Sequence, residues 1–162
     1  MAPNRPVRIA MVGGGAGSFI GPVHRMAAEL DRAFTLVAGA FSSEPSRSIE
    51  AGRSWGLDAD RCYPDHAALL AGERGRQDGA EVIAIVTPNH LHAPVAIAAL
   101  TAGYDVISDK PATATFAAPA FWPPTAACIF ERFFLVGGQD VAELCHQVGR
   151  FIFGHRRFLR PG

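Results

Sequence analysis

One arrangement limits what this chain can fold into more than any other. A short apolar run empties directly into a cluster of glycines, and a helical pattern follows at once. Val7–Val12 is apolar except for Arg8, which suits a strand covered on both faces. The next nine residues read Gly13-Gly14-Gly15-Ala16-Gly17-Ser18-Phe19-Ile20-Gly21. Then Ile20, Val23, Met26, Ala27 and Leu30 recur at helical spacing. Glycine lets the backbone turn sharply and lets a diphosphate approach without a Cβ in the way. Amides at the start of the following helix then face the anion. The usual G-x-G-x-x-G spacing is not strictly met, because Ser18 stands at the third position counted from Gly13 and Gly15. A tight strand–helix turn without a ligand has the same composition, so both readings stand at this point.

The alternation continues. Phe34–Phe41 reads as a second strand, with Ser43 as a cap and Pro45 in the first turn of a helix running towards Trp55. Arg61–Tyr63 is expected as a short third strand, and Asp65 as the cap of a helix through Leu69 and Leu70. Val82–Val86 is a β-branched fourth strand. A helix with Val95, Ala96, Ala99 and Leu100 on its core face ends at Gly103, and Tyr104–Ser108 is the fifth strand. Strands alternating with helices imply an α/β fold, a doubly wound, mostly parallel, Rossmann-like sheet. Such sheets bind ligands beyond the carboxyl ends of their strands.

That rule selects the candidate site residues. The first exit offers Gly13, Gly15, Ala16, Gly17, Ser18 and Phe19. The second offers Ser42, Ser43 and Arg47. No acid stands at this strand tip to pair with a ribose 2′-OH, which tilts the reading slightly towards NADP over NAD. Glu44 serving the ribose is the alternative. The fourth exit presents Thr87, Pro88, Asn89, His90 and His92, and the fifth presents Asp109 and Lys110. Lys110 is the only lysine, against fourteen arginines. A compact ammonium differs chemically from a guanidinium, so Lys110 is a candidate for holding a substrate hydroxyl. An ordinary surface lysine paired with Asp109 is the other reading.

After residue 115 the texture changes. Eight of the eleven Phe lie in 116–162. Residues 1–115 are read as the dinucleotide-binding domain and 116–162 as an atypical Phe-rich extension, short and irregular or helical. An exposed apolar tail predicts self-association into a homo-oligomer. Across all 162 residues the formal net charge is zero, so no overall field draws nucleic acid or an anionic membrane. No apolar run reaches the ~20 residues that span a bilayer. The three cysteines have no metal-ligand spacing, and their odd number argues against a disulfide framework. A cytoplasmic setting and no metal are therefore expected.

Two blocks, VRIAMVGGGAGSFIGPVHRMAA and VIAIVTPNHLHAPVAIAALTAGYDVISDKP, together resemble the N-terminal domain of the Gfo/Idh/MocA oxidoreductases. The resemblance covers residues 7–115. It implies hydride transfer between a sugar, polyol or related hydroxyl carbon and a nicotinamide, or a nucleotide-binding module without turnover. Lys110 would match the family's lysine, with His92 as a candidate acid/base partner. The glycines would line the diphosphate, Ser42 and Ser43 would face the adenosine ribose, and Thr87, Asn89 and His92 would border the nicotinamide side. Asp109 replaces the commoner Glu before the lysine. Nothing after residue 116 resembles the family's second domain.

Overall fold

The computed structural model describes residues 5–30 and 32–108. Asp109, Lys110 and the expected Phe-rich extension lie outside the described residues. Among the described residues there are four strands, β1 (Val7–Gly13), β2 (Phe34–Ala40), β3 (Val82–Val86) and β4 (Asp105–Ser108), and four helices, two of which lie between β2 and β3. The helices are α1 (Ile20–Leu30), α2 (Pro45–Ser54), α3 (His66–Arg74) and α4 (His92–Thr101). The sheet is parallel throughout, in the order β2-β1-β3-β4.

Side chains on a strand alternate between faces, and the two cores follow that alternation. Val7, Ile9 and Met11 join Phe34, Leu36, Val82 and Ala84 on one face, where Ala28 of α1 and Ala51 of α2 cover them. Ala10 and Val12 join Ala38, Ile83 and Ile85 on the other, under Leu69 and Leu70 of α3 and Val95, Ala96 and Ala99 of α4. Helices on both faces require strands apolar on both sides, and all five residues of β3 are buried. The doubly wound reading is thus the observed fold.

The third expected strand is corrected. Ala59–Arg61 is a 3-10 turn. Beside it Cys62 makes only a single parallel bridge to Gly39, with the Tyr63 N–H donating to the Gly39 carbonyl at 2.8 Å. The physical reason is Arg61, whose side chain is buried. Its guanidinium donates to both carboxylate oxygens of Glu73 on α3 and to the Asp78 carboxylate and carbonyl. Glu73 also accepts from the Tyr63 hydroxyl and the Ala80 amide. A buried guanidinium needs these partners. The chain turns to supply them, and Pro64 allows no ladder donor beyond Tyr63.

Candidate functional site

β1 and β3 are neighbours in space, yet β1 leads by way of α1 to β2 on its other side. The crevice of a doubly wound sheet opens at such a reversal. Gly13 and Val86 are the last registered pair there. Gly13 has φ +87°, and a Cβ on it would sit 2.7 Å from the Val86 carbonyl oxygen, so the loop hugs the β3 exit. Gly21 does the same for the helix. A Cβ there would run into the Gly14 carbonyl, so α1 packs directly on the glycine turn. The irregular spacing is thereby explained: Gly21, not residue 18, is the close-packing glycine.

Ser18 has a different task, its hydroxyl accepting from the Gly21 amide at 3.3 Å. The Gly15 amide donates to the Phe41 carbonyl at 3.2 Å and ties the turn to the β2 exit. The Ala16 and Gly17 amides have no backbone partner among the described residues. The first turn of α1 carries no acid. Free amides at an acid-free helix start form an anion cradle.

The β2 exit is held from below. The Phe41 amide donates to the Ser48 hydroxyl at 2.8 Å, and Ser48 donates to the Tyr63 carbonyl at 2.6 Å. Ser42 accepts from the Glu44 amide. Glu44 itself is the residue that precedes α2, so the expected Ser43 cap is not seen, while the expected Asp65 cap is: its carboxylate accepts from the Ala68 amide at 2.8 Å.

These exits enclose a cleft of about 840 Å³, within the range of ligand sites. Of the candidate site residues, Gly13, Gly15, Ala16, Ser18, Ser42, Ser43, Arg47, Thr87 and Pro88 line it. Gly17, Phe19, Asn89 and His92 are not among the described residues that do. Phe19 is 84% exposed, and Asn89 opens a 3-10 turn. His92 is 1% exposed, and its Nε2 lies 2.8 Å from the Thr87 carbonyl oxygen. Asp65, His66, His90 and Leu91 also line the cleft. Asp65 and His66 were missed as site residues, though the exit rule applied to Tyr63 would have found them. Among the described residues Asp65 is the only acid on the wall, and it is engaged as a cap.

The Thr87 hydroxyl is buried with no hydrogen-bond partner among the described residues. A buried polar group without a partner is costly, so this atom fits a ligand group reaching the β3 exit. With the free amides and the acid-poor wall, the residues present fit a dinucleotide. Among the described residues no group of three His, Cys, Asp or Glu could hold a metal. No helix there is long and apolar enough to cross a membrane.

Residues 7–119 match the oxidoreductase family with an NAD-binding Rossmann fold, Gfo/Idh/MocA. The chain belongs to this family. It is 48% identical over 109 residues to the uncharacterised oxidoreductase YfiI of Bacillus subtilis, a match covering 67% of this chain and 28% of that protein. It is 30% identical over 116 residues to levoglucosan dehydrogenase of Pseudarthrobacter phenanthrenivorans, covering 67% of this chain and 27% of that one. Among solved structures it resembles an inositol dehydrogenase homologue of Azotobacter vinelandii, complexed with NADH and myo-inositol. That match has a TM-score of 0.72 and 41% identity, and covers 81% of this chain and 34% of the other. The chain therefore spans only about a third or less of the length of these Gfo/Idh/MocA relatives. The shared part is the nucleotide-binding part.

Proposed function

We propose that this chain is the nucleotide-binding part of an NAD(P)-dependent dehydrogenase that oxidises a hydroxyl carbon of a sugar or polyol-like substrate. The observation that carries the reading is the convergence at one crevice of the unused Ala16 amide, with that of Gly17 next to it in the turn, an unpartnered buried hydroxyl and, among the described residues, a wall poor in acids. The Ala16 and Gly17 amides would hold the diphosphate. Ser42, Ser43 and Arg47 would hold the adenosine ribose. Thr87 and Pro88 would border the nicotinamide side. The bound nicotinamide supplies the hydride acceptor.

Lys110 lies two residues past the end of β4 in sequence. By the family resemblance it would hold the reacting hydroxyl and assist its proton transfer. The substrate class rests on the relatives, one of which binds myo-inositol and another of which is a levoglucosan dehydrogenase. For the cofactor, Ser42, Ser43 and Arg47 line the cleft while Glu44 does not. A 2′-phosphate therefore meets little repulsion, and the site takes NADP at least as well as NAD. The test is a fluorescence titration with NADH and NADPH, followed by assay of reduced cofactor across a panel of polyols. Binding and a polyol-dependent signal that disappears in Lys110→Ala support the reading. No binding of either cofactor overturns it.

A second reading is a dinucleotide-binding module without turnover. Tight cofactor binding with no turnover across the panel would select it.

A further inference from the structure

The β3 exit contains a pair, the half-buried Thr87 and the buried His92, that neither the diphosphate cradle nor the substrate lysine uses. His92 opens α4 and is 1% exposed, with Nε2 at 2.8 Å from the Thr87 carbonyl oxygen. A carbonyl only accepts, so Nε2 carries the proton and donates it. That nitrogen is committed to the backbone and is not a base facing the cleft. The residue it grips is the one whose own hydroxyl is buried without a partner among the described residues. Thr87 also sits against the glycine turn, since a Cβ on Gly13 would lie 2.9 Å from the Thr87 amide nitrogen. Pro88 follows and removes the next backbone donor. The imidazole therefore anchors the short turn between β3 and α4 from beneath, at the residue that borders the cleft.

We infer that the Thr87 hydroxyl is a ligand-binding group in the cleft and that His92 is its positioning residue, acting through the Thr87 carbonyl. This rests on the dinucleotide reading of the cleft. A cradle of this kind works because its donors are set before the ligand arrives, so losing the anchor and losing the hydroxyl should have the same consequence.

The experiment is a double-mutant cycle on the full chain. NADH affinity is followed by fluorescence and melting temperature is measured in parallel, in Thr87→Val, Thr87→Ser, His92→Phe, His92→Gln and the Thr87→Val/His92→Phe pair. Loss of one neutral hydrogen bond corresponds to about a three- to tenfold weaker affinity. Thr87→Val and His92→Phe are each expected to show it. Thr87→Ser and His92→Gln, which keep a hydroxyl and a donor, should largely restore binding. The double variant should bind no worse than the weaker single. If His92→Phe does not fold, His92→Asn, with its shorter amide, replaces it in the same cycle. Losses that multiply in the double variant overturn the inference. So does a Thr87→Val protein that binds normally, or a His92 variant that melts lower yet keeps full affinity. If the unmodified chain binds no NADH, the dinucleotide reading itself falls and takes this inference with it.

Discussion

At Gly13 a single missing methyl group decides whether the first loop can close on β3. The residue is left-handed, and a Cβ would meet the Val86 carbonyl at 2.7 Å. Gly13→Ala combines a disfavoured φ with a clash against backbone that cannot swing aside. We expect it to lose about 1–3 kcal/mol of stability and most of its cofactor affinity, checked by denaturant melts and NADH titration. Arg47 presents the opposite kind of residue, exposed and only loosely paired with Glu44 at 3.9 Å. Such a pair contributes little to stability, so Arg47→Ala should melt like the unmodified chain. Its NADP affinity should fall roughly tenfold, the worth of a charged hydrogen bond, while NAD affinity holds. Equal losses for both cofactors would place Arg47 away from the 2′-phosphate.

At the scale of elements, polar side chains decide how the strands start and where one is missing. Residues 61–63 carry a strand-like pattern, but the buried Arg61–Glu73 pair and its bonds to Asp78 claim the segment for a turn. At the opposite end of the sheet, Glu81 ties the starts of β1 and β3 together. It accepts from Arg5 at 2.7 Å and from the Arg8 amide at 3.2 Å. Burial works against its ionisation, yet the Arg5 and Arg8 hydrogen bonds outweigh that and hold its carboxyl below the ordinary 4.5. A carboxyl whose folded pKa is depressed binds fewer protons folded than unfolded. Its stabilisation is therefore complete above about pH 4.5 and is lost as pH falls through the lower folded value. Glu81→Gln should lack that acid limb. Melting temperatures from pH 6 to pH 3 check it, and an unchanged slope in the variant would contradict it.

Over the whole molecule, strand order puts the exits of β1, β2 and β3 around one cleft, with the α3 start beside them. A ligand that bridges these exits binds the folded state alone and so raises its stability. At a hundredfold excess over Kd the gain is about 2.7 kcal/mol. For a domain of this size that is a rise of roughly 5–15 °C in Tm. NADH and NADPH should both produce it, and Gly13→Ala should reduce it. A chain whose Tm ignores both cofactors does not hold a dinucleotide across these exits.

Much of this was legible in the residues. Apolar runs of five to seven, helical periods between them and the glycines at the first exit specify a doubly wound sheet, because local backbone preference and burial on two faces act through neighbours in sequence. The exits of β1, β2 and β3 followed from the same rule. What the tertiary structure alone decided depends on groups far apart in the chain. Arg61 turns away from the sheet because Glu73 and Asp78 are brought to it. Gly21 takes the place expected three residues earlier because α1 lies on the Gly14 carbonyl. Asp65 and His66 join the wall because α3 begins there. His92 faces the Thr87 backbone because the start of α4 is buried against β3. A sequence pattern reports which residues prefer to be covered; only the packed chain settles which atom covers which.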